Sequence, residues 1–194
     1  MENNKPTCSW PKGDPLLIKY HDNEWGSPLH NDKKLFELLV LEGFQAGLSW
    51  LTILKKRENF RKAFDRFDFN KIATYDRQKI NSLLENIGII RNKLKIESAV
   101  SNAKAFIGVR KEFGTFDTYI WNFTGNKPIH NGFESIKEIP ARTELSDLIS
   151  KDLKKRGFKF VGATIVYAHI QATGMVNDHI KSCFRYKEII EKYG

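Results

Sequence analysis

Four residues offer soft metal-ligating atoms in two pairs at opposite ends of the chain, Cys8 with His21 and His179 with Cys183. Two thiolates and two imidazoles form a tetrahedral donor set that suits zinc, an ion without a geometric preference of its own. His179 and Cys183 are four positions apart, so on a helix they share a face. An ion held by all four would clip the proline-bearing N-terminal segment (Pro6, Pro11, Pro15), which looks unable to pack as regular structure, onto a C-terminal helix. On spacing alone the simpler reading is two buried cysteines and two ordinary histidines, because zinc sites usually show two close pairs. His30, His130 and His169 have no ligand spacing and read as surface or satisfied core groups.

A second candidate is Glu42, a carboxylate inside the apolar, glycine-broken run Leu39-Val40-Leu41-Glu42-Gly43-Phe44-Gln45-Ala46-Gly47-Leu48-Ser49-Trp50. Buried without a partner, it would be costly and its pKa would rise. Such a group faces water or receives a positive or hydrogen-bonding ligand, and from this stretch alone the wet face of a helix is the better reading. Trp10 and the run Tyr20-His21-Asp22-Asn23-Glu24-Trp25-Gly26 add aromatic surface that suits a core equally well. Asp22, Glu24 and Glu42 lack the pattern of a glycosidase carboxylate pair, and no phosphate loop, dinucleotide turn or serine elbow occurs.

A third is a helix-hairpin-helix. Leu83-Leu84-x-x-Ile87-Gly88-Ile89-Ile90-Arg91-x-Lys93-x-Lys95 sets a glycine between two apolar helical stretches. A tight turn there leaves backbone N–H groups at the start of the second helix, where the dipole favours a phosphate. Arg91, Lys93 and Lys95 would strengthen that contact without reading base sequence. An ordinary turn between core helices is the competing reading.

The elements that must carry these groups are helical. Asp32 reads as the cap of a helix through Leu35, Phe36, Leu38, Leu39 and Leu41, interrupted by Gly43 and Gly47. An amphipathic pattern resumes over residues 48–67, residues 69–75 read as a connector with a turn, and helices follow at 80–87 and 96–109. Residues 113–123 are rich in aromatic and β-branched types but lack a nearby pairing run, so they read as irregular or helical. Thr143 starts a helix that Gly157 ends, and residues 162–173 and 176–186 are further helical candidates. The expected class is all-α.

At 194 residues and 41% hydrophobic content, the chain can bury a real core in one or two domains. No apolar run approaches the roughly 20 residues that span a bilayer. The polar stretch from Met1 to Pro6 does not read as a secretory signal, and two distant cysteines are no disulfide framework. A net charge of +9 points toward polyanions, with basic clusters at Lys55-Lys56-Arg57, Arg91 to Lys95 and Lys154-Lys155-Arg156. Each alone reads as a solvated helix face; together they favour a phosphate-binding surface.

The ordered blocks Cys8-Ser9-Trp10, Tyr20 to Gly26, Leu41-Glu42-Gly43, Gln45 to Trp50, Leu54-Lys55-Lys56-Arg57-Glu58, Gly88-Ile89-Ile90-Arg91, Lys154 to Gly162, Gln171-Ala172, Gly174 and Val176-Asn177-Asp178-His179 closely resemble the bacterial 3-methyladenine DNA glycosylase I family. The resemblance covers almost the whole chain. It implies a single all-α unit with the helix-hairpin-helix glycosylase fold, the hairpin near residues 80–108. It also implies a structural zinc ion (Zn2+) on Cys8, His21, His179 and Cys183, joining residues 1–26 to 175–194. In the matching base pocket Glu42 hydrogen-bonds a flipped base, Trp50 stacks on it, and Tyr20 and Trp10 complete the wall; Gly88, Ile90, Arg91 and Lys93 hold the DNA backbone.

The implied activity is hydrolysis of the glycosidic bond of 3-methyladenine in double-stranded DNA, giving the free base and an abasic site. N3-methylation makes the base cationic and a good leaving group, so extrusion and discrimination are the enzyme's tasks. Glu42 then selects and positions the lesion instead of acting as a general base. No lysine matches a Schiff-base position, so no strand cleavage is expected, and Asp117 reads as a surface or capping residue. The expected setting is the bacterial cytoplasm, at the nucleoid, as a monomer with no membrane partner. Leu17 departs from the family, which commonly has a tyrosine there; Phe44 replaces a more usual polar residue. If the tyrosine lines the base pocket, Leu17 removes a hydroxyl and an aromatic face, although a tolerated wall substitution is favoured. Leu17 is the one support for an alternative, a non-catalytic or divergent lesion-binding paralogue.

Overall fold

The computed structural model describes residues 5–193. The N-terminal segment is less irregular than its prolines suggest. Pro15 sits in the first turn of α1 (Pro15–Asn23), where its missing N–H costs nothing, and the Asp14 carboxylate accepts from the Leu16 and Leu17 amides. Helix α2 (Asp32–Gln45) is capped by Asn31, not Asp32. Asp32 instead accepts from Arg110 Nε and from the backbone amides of Phe116 and Asp117, so it caps a different helix.

Helix α2 is the axis of the molecule, with every residue from Leu35 to Phe44 buried. Gly43 does not interrupt it. A Cβ at that position would lie 3.3 Å from the Phe160 Cβ, so the glycine admits the chain near Phe160 to the helix surface. Around it pack α3 (Trp50–Ala63), α6 (Lys93–Phe113), α7 (Phe116–Trp121) and α9 (Ala163–Ala172). The short helices α4 (Phe69–Ile72) and α5 (Arg77–Glu85) lie on α6, and α8 (Glu144–Lys155), with a Thr143–Ser146 capping box, lies on α9. Residues 69–75, expected as a connector, thus begin with a helical turn, capped by Asp68. The aromatic run 113–123 is helical, because Phe116 stacks on Phe106 at 4.2 Å and is buried against α6, leaving no strand partner.

The expectation of a helix over 176–186 fails. Val176–Asn177 form β2, which pairs in parallel with β1 (Ile129–His130), and residues 178–183 turn irregularly into α10 (Phe184–Tyr193). His179 and Cys183 therefore do not share a helix face. The buried polar side chains Asn177, Asp178 and His179 have tertiary partners, and those contacts override the local helical pattern.

A tight seam joins the N-terminal segment to the end of α9. The Gly26 amide donates to Gln171 O at 3.1 Å and the Leu29 amide to Thr173 O at 3.0 Å. Gly174, at φ +69°, presses on this seam so closely that a Cβ would fall 2.3 Å from the Ser27 carbonyl carbon. Gly174→Ala is expected to destabilise the protein by at least about 2 kcal/mol, combining left-handed strain with a backbone clash. Equilibrium urea unfolding checks this; a change within about 0.5 kcal/mol would mean that the seam yields freely.

Candidate functional site

Four helices, α1, α2, α3 and α9, and the segment before α1 converge on a cavity of about 320 Å³. Trp10 precedes α1, Tyr20 projects from α1, Glu42 and Gln45 from α2, and Trp50 from the first turn of α3. Trp25, Ile136, Ile139, Ala168 and Gln171 complete the lining. The aromatic rings meet edge to face or tilted, with Trp10 and Trp25 centroids 5.3 Å apart and Tyr20 and Trp50 also 5.3 Å apart. An apolar cleft of this size with a few converging polar groups is the usual form of a small-molecule site.

Four of its polar groups lack hydrogen-bond partners. Glu42 is only 4% exposed, against the expectation of a wet helix face. No donor or cation among the described residues bonds it, and burial alone pushes its pKa up to about 8. The Tyr20 hydroxyl and the indole N–H groups of Trp10 and Trp50 are also buried without hydrogen bonds. Burial, followed by the nearby Glu42, raises the Tyr20 phenol well above its ordinary range. Buried polar atoms are nearly always satisfied, so orphans gathered round one cavity indicate a ligand that satisfies them.

Nearby packing makes this arrangement rigid. Lys95, expected to face a phosphate, is instead buried, and its ammonium donates to Phe44 O at 2.9 Å and Ala46 O at 2.6 Å. It therefore caps the C-terminal end of α2, the end that carries Glu42. Arg57 is no solvated helix cation either: it donates to Glu24 just past α1 and to Glu37 on α2, each at 2.7 Å. Arg156 is similarly engaged with Glu112 and Asp152.

Cys8, His21, His179 and Cys183 come together despite the failed helix, all buried, with their ligand atoms within 4.8 Å of one another. His21 Nδ1 meets the Asp22 carboxylate at 2.6 Å and His179 Nε2 meets the Trp25 carbonyl at 3.0 Å. Both outer nitrogens face acceptors and so carry the protons. The inner nitrogens, His21 Nε2 and His179 Nδ1, then turn lone pairs toward each other at 3.1 Å. Two lone pairs and two thiols facing one point, with both rings oriented by outer acceptors, suit a bound metal cation. His30 remains exposed, its Nδ1 2.9 Å from Asp117, which lies in the first turn of α7 but does not cap it. His169 is buried but not satisfied: neither ring nitrogen has a partner, and burial lowers its pKa to about 4.

Between α5 and α6, Ile89 plugs the core while Ile87 is 79% exposed. The Gly88 amide donates to Asn86 Oδ1, and the carbonyls of Ile87 and Gly88 accept from Lys56. Arg91 and Lys93 stay exposed on the same turn, and Ile90 is half-buried. Leu17 lies apart from the cavity lining and packs on the small cluster containing Tyr20, Trp25 and Leu54. The lining residues Ile136, Ile139 and Ala168 carried no signal in the sequence, since a lone apolar side chain in a loop or on α9 looks like any other.

A family model described as methyladenine glycosylase matches residues 10–186. The chain is 48% identical over 179 residues to DNA-3-methyladenine glycosylase 1 of Escherichia coli (strain K12), covering 92% of this chain and 96% of that protein. It is 46% identical over 176 residues to DNA-3-methyladenine glycosylase of Haemophilus influenzae, covering 91% and 95%. A crystal structure of 3-methyladenine DNA glycosylase I superposes with a TM-score of 0.90 at 49% identity, over 92% of this chain and 98% of that one. The Staphylococcus aureus 3-methyladenine DNA glycosylase I, from a structure concerned with recognition of 3-methyladenine, gives 0.89 at 36% identity, over 92% and 95%.

The buried Glu42 sets a pH dependence. Its folded pKa of about 8 exceeds the ordinary 4.5, so between those values the folded state holds a proton that the unfolded state releases. Stability of the ligand-free protein is expected to fall as pH rises through that window, by up to about 1.4 kcal/mol per pH unit, and Glu42→Gln to abolish this component. Unfolding of both proteins from pH 5 to 8 checks it. A constant difference between them would show that the carboxyl is ionised throughout.

Proposed function

The chain belongs to the methyladenine glycosylase family, and on that premise we propose that it is a hydrolase that excises 3-methyladenine from alkylated double-stranded DNA. The observation that carries this reading is the unpartnered Glu42 carboxylate in the aromatic cavity of Trp10, Tyr20 and Trp50. A flipped 3-methyladenine nucleotide bears a positive charge and donor N–H groups. It supplies what the site lacks: a cation for the aromatic faces and donors for Glu42. Neutral adenine gains less from both, which gives selectivity.

In the reaction the bond from the sugar C1′ to base N9 breaks, and its electron pair neutralises the cationic base. A water oxygen bonds C1′ and releases its proton to solvent, leaving an abasic site and free 3-methyladenine. Glu42 hydrogen-bonds and positions the base, Trp50 stacks on it, and Tyr20 and Trp10 close the wall. No lysine lines the cavity among the described residues, which favours hydrolysis without strand cleavage. The turn between α5 and α6 serves as the helix-hairpin-helix, with Gly88, Ile90, Arg91 and Lys93 against the DNA backbone. Leu17 lends little to a non-catalytic paralogue, because it lies outside the cavity lining.

Cys8, His21, His179 and Cys183 fit a zinc ion with four protein ligands, which leaves no position for a catalytic water. When bound, the ion supplies a cross-link between the chain's two ends and no step of the chemistry. We read the chain as one functional unit acting as a monomer in the bacterial cytoplasm; no helix among the described residues is long and apolar enough to cross a membrane.

Release of free bases from methylated duplex DNA, resolved by chromatography, tests the activity. The wild type is expected to release 3-methyladenine without nicking the strand, and Glu42→Gln to slow single-turnover release at least about tenfold, through loss of a charged hydrogen bond. Full activity in Glu42→Gln would remove Glu42 from recognition; no release by folded wild type would refute the reading. Elemental analysis is expected to find one zinc per chain, and Cys183→Ser to lower both zinc content and Tm; zinc retained in full by that variant would argue against these ligands.

A further inference from the structure

Asp178 is fully buried beside the four-residue cluster, yet none of the roles above uses it. Three donors converge on its carboxylate. Asn131 Nδ2 donates to Oδ1 at 2.6 Å, while the Tyr167 hydroxyl and Gln171 Nε2 donate to Oδ2 at 2.5 and 2.8 Å. A carboxylate amid donors only accepts, so it is the amino end of the Gln171 amide that faces Asp178. The carbonyl oxygen at the other end of that planar group points elsewhere, and no donor among the described residues bonds it.

Gln171 lines the cavity. Its backbone is held as firmly as its amide, its carbonyl accepting from the Gly26 and Gly174 amides at 3.1 and 3.2 Å. Gln45, the other amide in the lining, has no comparable tether and is free to turn either end inward. The remaining polar side-chain groups of the wall are the Tyr20 hydroxyl and the indole N–H groups of Trp10, Trp25 and Trp50, so the acceptors of fixed character are Glu42 and the Gln171 carbonyl.

We infer that Gln171 is a specificity-determining residue whose Oε1 accepts a hydrogen bond from the exocyclic 6-amino group of the bound base, with Asp178 as the positioning residue that fixes the amide. The inference rests on the glycosylase reading above and deepens it. A 6-amino purine presents N–H to this oxygen. A 6-keto purine presents a second oxygen, which the amide cannot accommodate by flipping without turning its carbonyl onto Asp178. Discrimination against 3-methylguanine and its relatives thus comes from a locked dipole, whereas discrimination against neutral adenine comes from charge.

The test pairs a residue change with a ligand change. Binding of 3-methyladenine and of 3-methylpurine, which lacks the amino group, is followed through the fluorescence of the cavity tryptophans. Gln171→Met is expected to weaken 3-methyladenine about five- to tenfold while changing 3-methylpurine less than about twofold, the size of one hydrogen bond. Gln171→Asn, whose amide is one methylene too short, is expected to show the same split and serves if the methionine variant does not fold. Equal weakening of both bases, or no weakening of either, overturns the inference. Wild-type protein that binds neither base and releases none from methylated DNA overturns the glycosylase reading and this inference with it.

Discussion

The cavity exists because residues 6–29 are held against residues 171–185. The seam is made of backbone hydrogen bonds from Gly26, Leu29 and Phe184, of the Arg185 guanidinium on Ser27, and of the cluster formed by Cys8, His21, His179 and Cys183. Without it, Trp10 and Tyr20 have no fixed place, and one wall of the cavity is lost. Aromatic contacts such as Trp25 on His179, with ring centroids 4.6 Å apart, add to these polar contacts across the joint. This is how a small domain secures a segment that lacks a core of its own.

Within that frame the unpartnered Glu42 carboxylate is a local cost that the rest of the fold sustains. Helix α2 is buried along most of its length, and Lys95 holds its C-terminal carbonyls, so Glu42 cannot swing toward water. Arg57 joins α1, α2 and α3 through Glu24 and Glu37. Those are the same three helices that present Tyr20, Glu42 and Trp50. A rigid constellation with unsatisfied groups is pre-organised for a ligand, because the groups are desolvated and held in place on folding and not on binding.

Recognition in this arrangement divides between charge and dipole. On the proposed function, the aromatic walls and Glu42 would respond to the positive charge that methylation creates, while a tethered amide would respond to the pattern of donors on the base. On the same proposal, the basic surface of the turn between α5 and α6, with Arg91 and Lys93 exposed, would meet the DNA backbone and carry no base information. Lys95, in the same sequence cluster, contributes to the site from inside, by holding the helix that bears the carboxylate.

The sequence by itself determined the helical class, the course of several helices, and the identity of the groups able to do chemistry. These follow from local causes: apolar spacing, a capping residue such as Thr143, and residue types with few alternative uses. The ordered motifs also pointed to the family and so to the joint use of Cys8, His21, His179 and Cys183, which their spacing left open. Only the tertiary structure decided that Glu42 is buried, since a lone acid in an apolar run suits a wet face equally well until α3, α6 and α9 surround it. It also moved Asp32 from the cap of α2 to a partner of α7 and Arg110, turned Lys95 and Arg57 from outward-facing cations into internal partners, and replaced the expected helix over 176–186 with a strand and an irregular turn. Those outcomes depend on partners 20 or more positions away. Charge and helical period describe a residue's preferences, but whether it meets water or a distant carboxylate is a property of the packed chain.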